Sequence, residues 1–362
     1  MKETTAAGIT LTCPIPKHSH TTVQMAHGGG GRMMHAMIEE MFLPAFAAES
    51  KAPGDSPSPA TPPHDSAVLP LGESRMAMTT DSFVVSPLFF PGGDIGKLAA
   101  CGTINDLAMA GAKPQYLSAG FILEEGLDID DLRQIVGSMA RTAAEAGVRI
   151  VTGDTKVVDH GKADGIYINT AGVGIVPNGI DIRPTRVKPG DAILVNGDLG
   201  RHGTAIMSVR EGLEFEGALD SDCAPLGSLV EEMLTAGGDI HCLRDLTRGG
   251  LAAALNEIAS DADVGIEIDE SAIPVAESVT GVCELLGLDP LYIANEGRLA
   301  AFVPEEAAER VLNAMRGHPE APQAVRVGTV TDAHAGLVTL RGLLGGDRVI
   351  DLPAGEQMPR IC

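Results

Sequence analysis

Pro91-Gly92-Gly93-Asp94-Ile95-Gly96-Lys97-Leu98 is the stretch whose reading decides the fold. Its glycines and lysine invite a P-loop assignment, but Pro91 stands where the first glycine is needed and no Ser or Thr follows Lys97, so the Walker reading fails. What remains is a helix start, with Asp94 available as its N-cap. The helix expected from Leu98 to Gly111 carries a single charge, Asp106, beside Asn105 and between Ile104 and Leu107. A lone carboxylate on a largely buried helix is costly unless it is paired or metal-bound; the alternative is a solvent-facing stripe.

Composition narrows the class. The chain has 362 residues, 44% of them hydrophobic, with 44 glycines and only 3% aromatics, which reads as an α/β protein of about two domains, rich in tight turns. There is no run of about 18 apolar residues and no basic-then-apolar N-terminus, so neither a membrane span nor a signal peptide is expected, and the cytoplasm is the default location. The six cysteines lack CxxC spacing, which argues against a zinc ribbon, a cluster site or a disulfide framework. A net charge of −23 leaves no basic footprint for nucleic acid or anionic membrane. A phosphate ligand would need metal ions between it and the carboxylates.

Outward from the opening stretch, other local signals accumulate. Cys13, His18, His20, His27 and His35 crowd the N-terminus without ligand spacing. Gly28-Gly29-Gly30-Gly31 precede a helix expected from Arg32 to Leu43 and stopped by Pro44; such a glycine run lets backbone N–H groups approach a phosphate, or is simply a linker. Glu49 to Ser66 is a Pro/Ser-rich spacer. Asp81 lies inside an apolar strand near Met76 to Val85, where a carboxylate must face solvent or coordinate something. Val148 to Lys156 reads as a short strand ending in a glycine turn that presents Gly153, Asp154, Thr155 and Lys156. Arg244-Asp245-Leu246-Thr247-Arg248-Gly249-Gly250 forms a second anion-ready helix start, and Leu291 to Ala294 reads as a strand delivering Glu296 at its end. Three isolated acids, two glycine-rich helix starts and no Walker motif suggest nucleotide phosphates bridged by metal.

The chain ends in Met358-Pro359-Arg360-Ile361-Cys362. Pro353, Gly355 and Pro359 make a continued helix improbable there, so the terminal thiol sits on a tether with a reach on the order of 35 Å from Leu352. Pro359-Arg360-Ile361-Cys362, together with Thr80-Asp81-Ser82, Asn105-Asp106-Leu107-Ala108, Thr152-Gly153-Asp154-Thr155-Lys156, Arg244 to Gly250 and Asn295-Glu296-Gly297, resembles the HypE family of hydrogenase maturation factors, within the aminoimidazole ribonucleotide synthetase-like superfamily. The resemblance covers nearly the whole chain apart from the first ~20 residues and the proline spacer.

That resemblance implies a two-domain α/β (α+β) fold with a flexible C-terminal tail: a segment over 1–66, an ATP-binding and dimerisation domain over 67–178, a second α/β domain over 179–345, and the tail over 346–362. It implies a homodimer, a HypF-type carbamoyltransferase that loads Cys362, and delivery of cyanide to iron on a HypC–HypD complex. The reaction implied is ATP-dependent dehydration of the carbamoyl group on Cys362 to a thiocyanate, with Lys156 and Glu296 as the proton-moving pair. ATP contacts fall on Gly28, Gly29, Gly30, Asp81, Asn105, Asp106, Gly153, Asp154, Thr155 and Asp245, and Mg2+ on Asp81, Asp106 and Asp245. His64-Asp65 stands where the family commonly has two acids, which leaves Asp65 outside the expected metal set. A superfamily kinase acting on a small molecule would tolerate loss of Cys362.

Overall fold

A computed structural model describes residues 22–49, 64–213, 219–237, 239–353 and 358–362. Cys13, His18, His20, most of the Pro/Ser-rich spacer and Gly355 lie outside these residues.

The N-terminal segment is helical: α1 (Arg32–Met37), a π turn (Ile38–Phe42) and α2 (Leu43–Glu49). Pro44 therefore does not stop the helix, contrary to the sequence reading. The π turn directly before it changes the hydrogen-bond register where the proline ring and its missing N–H would otherwise break the ladder.

The first domain contains β1 (Ala67–Leu71), β2 (Ser74–Phe83), a short β3 (Phe89–Phe90) and β4 (Gly93–Asp94) ribbon, α3 (Ile95–Met109), β5 (Lys113–Glu124), α4 (Ile129–Glu145), β6 (Arg149–Val158) and β7 (Ile166–Val176). Its main sheet has the order β1-β2-β7-β5-β6, antiparallel except for the parallel β5–β6 pair that α4 connects. α3 lies against this sheet and is buried along almost its whole length, which matches its near absence of charge. Asp94 caps it as expected, accepting from the Gly96 N–H at 2.8 Å and the Lys97 N–H at 3.1 Å. Gly96 is forced by contact: a Cβ there would lie 2.2 Å from the Ile135 carbonyl oxygen of α4.

The second domain follows with β8 (Asp191–Val195), α5 (Arg201–Arg210), α6 (Gly227–Thr235), β9 (Cys242–Asp245), α7 (Gly250–Ala262), β10 (Gly265–Asp269), α8 (Glu277–Leu286), β11 (Leu299–Pro304), α9 (Glu305–Gly317), β12 (Val325–Thr331), β13 (Val338–Arg341) and β14 (Asp347–Ile350). These strands form one mixed sheet, β14-β13-β10-β12-β8-β11-β9. β8 and β11 are central and buried on both faces, hence their unbroken apolar runs Ala192–Val195 and Leu299–Val303. One core cluster joins the halves: Phe83, Leu98, Ala99 and Met139 pack with Ile206, Val279, Ile293 and the tail residues Met358 and Ile361.

Two strand readings need correction. No strand covers Leu291 to Ala294; a 3-10 turn (Pro290–Tyr292) stands there, and Glu296 precedes β11 rather than ending a strand. Nor does the chain turn at Gly153. β6 runs straight through it in parallel register with β5, and the missing Cβ makes room for the Ala119 carbonyl, 2.2 Å from where that atom would be. Among the described residues no helix is long and apolar enough to cross a membrane.

Replacing Asp94 by Ala should remove the only side-chain cap of the helix on which both domains pack. Urea unfolding is expected to show a loss of about 1–2 kcal/mol at unchanged m-value.

Candidate active site

Carboxylates from both domains converge at the seam between them. Asp65 precedes β1, Asp106 lies near the end of α3 and Asp245 ends β9; oxygens of all three lie within 4.8 Å of one another. The Thr79 hydroxyl sits 2.7 Å from Asp106 Oδ2 and 2.9 Å from the Asp65 carbonyl, fixing two of the acids from β2. Arg244 pairs with Asp65 and with Glu257, and Glu257 in turn meets His35 of α1 at 3.2 Å. Asp65, left out of the expected metal set, is therefore a member of the cluster. Asp81 is not in that trio, although its charge is close enough to raise both Asp106 and Asp245.

Burial is the main reason these acids titrate above the usual carboxylate range. It pushes Asp65 up to about 6 against the opposing Arg244 guanidinium, and Asp245 up to about 8 with help from Asp65. Asp106 is driven well above the carboxylate range by burial and then by Asp245, Asp81 and Asp65. Asp65 Oδ2 is buried without a hydrogen-bond partner. Crowded hard oxygens with an unsatisfied buried lone pair are the donor set that a Mg2+ ion takes, so the residues fit such an ion.

The two glycine-rich helix starts, far apart in sequence, meet in space. Gly29, Gly30 and Gly31 are buried, and the Arg248 guanidinium donates to the Gly28 carbonyl at 3.0 Å. Gly30 has φ +73°, which favours glycine, and a Cβ there would lie 3.0 Å from Arg248 Cβ, a tight approach. Directly after the loop, the Arg32 N–H donates to the Pro353 carbonyl at 3.0 Å, and its guanidinium meets Asp351 at 3.2 Å. The glycine loop is thereby pinned to the root of the C-terminal tail.

Glu296 is 3% exposed, and its Oε1 has no hydrogen-bond partner. Burial, followed by Cys223, Asp245, Asp81 and Asp222, raises it well above the usual range. Its loop is held from outside: Asp222 Oδ2 accepts from the Glu296 and Gly297 N–H groups at 3.2 and 2.9 Å. Asp222 carried no signal in the sequence, since it lies in irregular chain ahead of α6. Asn105, expected among the ATP contacts, uses its side chain on this same region, donating to the Ala224 and Glu296 carbonyls and accepting from the Leu226 N–H at 2.7 Å.

Lys156 and Glu296 are not brought together within one chain. Gly153, Asp154, Thr155 and Lys156 lie on β6, an edge strand exposed along its length, and Lys156 pairs with Asp154. The tail, in contrast, is docked. Ile361 is 2% exposed, and the half-buried Cys362 packs on the cluster that contains Cys101, Cys223 and Ala294. The Val84 and Ser86 N–H groups donate to the Cys362 and Arg360 carbonyls at 3.0 and 3.3 Å, extending the end of β2 with a short antiparallel pairing.

Known proteins agree with this architecture. Residues 63–176 match the AIR synthase related protein N-terminal domain and residues 188–340 its C-terminal domain. The carbamoyl dehydratase HypE of Azotobacter vinelandii is 53% identical over 341 residues, 94% of this chain and 97% of its own. That of Escherichia coli (strain K12) is 48% identical, covering 94% and 99%. A crystal structure of HypE in complex with ATP superposes with a TM-score of 0.77 at 46% identity, covering 94% of this chain and all of that one. A HypE–HypF complex gives 0.80 at 47% identity, covering 88% and 100%. With two domain models spanning most of its length and relatives near 50% identity end to end, this chain belongs to the HypE carbamoyl dehydratase family.

Proposed function

We propose that this chain dehydrates a carbamoyl group carried on its own Cys362 to a thiocyanate at the expense of ATP, as a step in nickel–iron hydrogenase maturation. The observation that carries the reading is the seating of Cys362 in the core that adjoins Glu296, a buried carboxylate with an unpartnered oxygen. An amide oxygen is a poor leaving group until it is phosphorylated. The S-carboxamide and ATP then yield thiocyanate, ADP and phosphate, the carbamoyl oxygen departing in the phosphate and the nitrogen losing two protons. Glu296, held well above the usual carboxylate range by burial, is a stronger base than a carboxylate in water and is suited to take one of those protons.

Asp65, Asp106 and Asp245, with Asp81 beside them, are the residues that would hold Mg2+, which when bound supplies charge neutralisation to the ATP phosphates. The meeting of the two glycine-rich starts supports phosphate binding there through backbone N–H groups. A homodimer is supported by the first domain's open sheet face, where Met78, Tyr116, Ile122 and Ile175 are exposed, and by the exposed β6 edge. A second copy on that face is the route by which a Lys156 would approach a Glu296 across the dimer. A HypF-type carbamoyltransferase as donor, a HypC–HypD complex as acceptor and a cytoplasmic setting complete the proposal; the first has support in the HypE–HypF complex to which this chain is similar.

Intact-mass analysis after incubation with the transferase, carbamoyl phosphate and ATP is expected to show a carbamoyl adduct on Cys362 that loses one water only with ATP. An adduct elsewhere, or no ATP-dependent loss, rejects the reading. Cys362→Ala should abolish loading, whereas Glu296→Gln should load normally and dehydrate on the order of 100-fold more slowly in single-turnover measurements.

Cation binding has a pH signature. Because burial raises the folded-state values of Asp65 and Asp245, their contribution to stability is full below about pH 4 and is lost as pH rises through about 6 and about 8. Mg2+ competes with those protons. Its effect on Tm is expected to be larger at about pH 8 than at about pH 5.5, and to shrink in Asp245→Asn.

A further inference from the structure

The C-terminal arm is held in its seat by two side chains of a single helix, α5, which the chemistry above does not use. At the helix start, His202 is fully buried; its Nε2–H donates to the Ile361 carbonyl at 2.8 Å, while Nδ1 accepts from the Ser221 hydroxyl at 2.8 Å. The ring is fixed edge-on against Phe90 at 5.4 Å between centroids. At the helix end, about 12 Å away along the axis, Arg210 spreads its guanidinium over three carbonyls: Ser86 at 2.5 Å, Pro359 at 2.6 Å and Arg360. The arm's own Arg360 reaches outward, donating to the Val84 carbonyl at 3.1 Å and pairing with Asp164.

Two features make this seat adjustable. Arg360 has φ +54°, a left-handed conformation that a side chain other than glycine adopts at a cost, so the docked backbone is held by its partners and not by its own preference. The seat also shares an anchor with the candidate base. Asp222 accepts from the His202 N–H at 3.0 Å through Oδ1 and from the Glu296 and Gly297 N–H groups through Oδ2. Whatever holds the arm on α5 therefore also registers it against Glu296.

Building on the dehydratase reading, we propose that α5 is the docking rail of the Cys362 arm, and that Arg210 and His202 are positioning residues that set the balance between the seated arm, competent for dehydration, and the released arm, competent for loading. Both act on the arm's main-chain carbonyls, so they serve the arm whether or not the thiol carries a substrate group. Removing the Arg210 guanidinium takes this donor from the Ser86 and Pro359 carbonyls, leaves the Arg360 carbonyl with the Ser86 N–H alone, and shifts the arm outward.

The test uses the full chain. In Arg210→Gln, deuterium exchange of a peptide spanning residues 83–87, which contains the Val84 and Ser86 N–H groups bonded to the arm, should accelerate about tenfold or more while β5 and β7 peptides are unchanged. Dehydration of preloaded protein in a single turnover should fall about tenfold, whereas loading by the transferase should not fall and the KM for ATP should stay the same. Arg210→Lys, keeping one cationic donor, should recover part of the dehydration rate. Unchanged exchange at 83–87, or loading, dehydration and ATP affinity falling together, overturns the proposal. Should Arg210→Gln fail to fold by circular dichroism, Asp164→Asn, at the half-exposed end of the latch, must show the same fall in dehydration without a fall in loading, in smaller degree, and its failure to do so is equally decisive. Wild-type protein that loses no water on adding ATP refutes the dehydratase reading and leaves the exchange result to judge the docking rail by itself.

Discussion

Negative charge crowded into a largely buried seam is the constraint on which the rest of this structure depends. Asp65, Asp106 and Asp245 arrive on three different elements, one of them the most buried helix of the first domain. Coulomb repulsion at such separations, in a low-dielectric interior, would drive the elements apart if all three were ionised. Arg244 offsets part of it from one side, and protons or a cation must supply the rest. The two domains are thus joined by apolar packing around a region that is electrostatically incomplete without protons or a cation.

The periodic part of the fold was legible from local sequence. The nearly uncharged run of α3, its Asp94 cap and the strand expected near Met76 to Val85, which is β2, follow from patterning and capping chemistry that act over a few residues. Misreadings fell where a local signal has two outcomes. Gly153 serves as a turn residue in isolation, yet here it accommodates a neighbouring carbonyl within a straight strand. Pro44 breaks most helices, but a π turn absorbed it.

The site was legible only as a set of types. Asp106 and Asp245 stood out because isolated acids in apolar surroundings are costly, whereas Asp65 follows a spacer and looks like loop. Asp222 was invisible, since its importance lies in accepting from backbone groups 74 and 75 residues away. The approach of Gly30 to Arg248 is likewise a tertiary fact that no window of sequence contains. Function became readable earlier than geometry because the motifs that carry the family resemblance are each local in sequence, whereas the contacts that join them are not.

The pin between the Arg32 N–H and the Pro353 carbonyl gives the arm a fixed pivot. From that pivot to the sulfur there are nine residues, 354 to 362. Fully extended they span about 30 Å. On the proposed reading, the thiol meets a partner only within that radius of Pro353 while both domains stay still, so the surfaces near this point are the ones a loading protein would use. A partner bound beyond that radius would be outside the arm's range however tightly it bound.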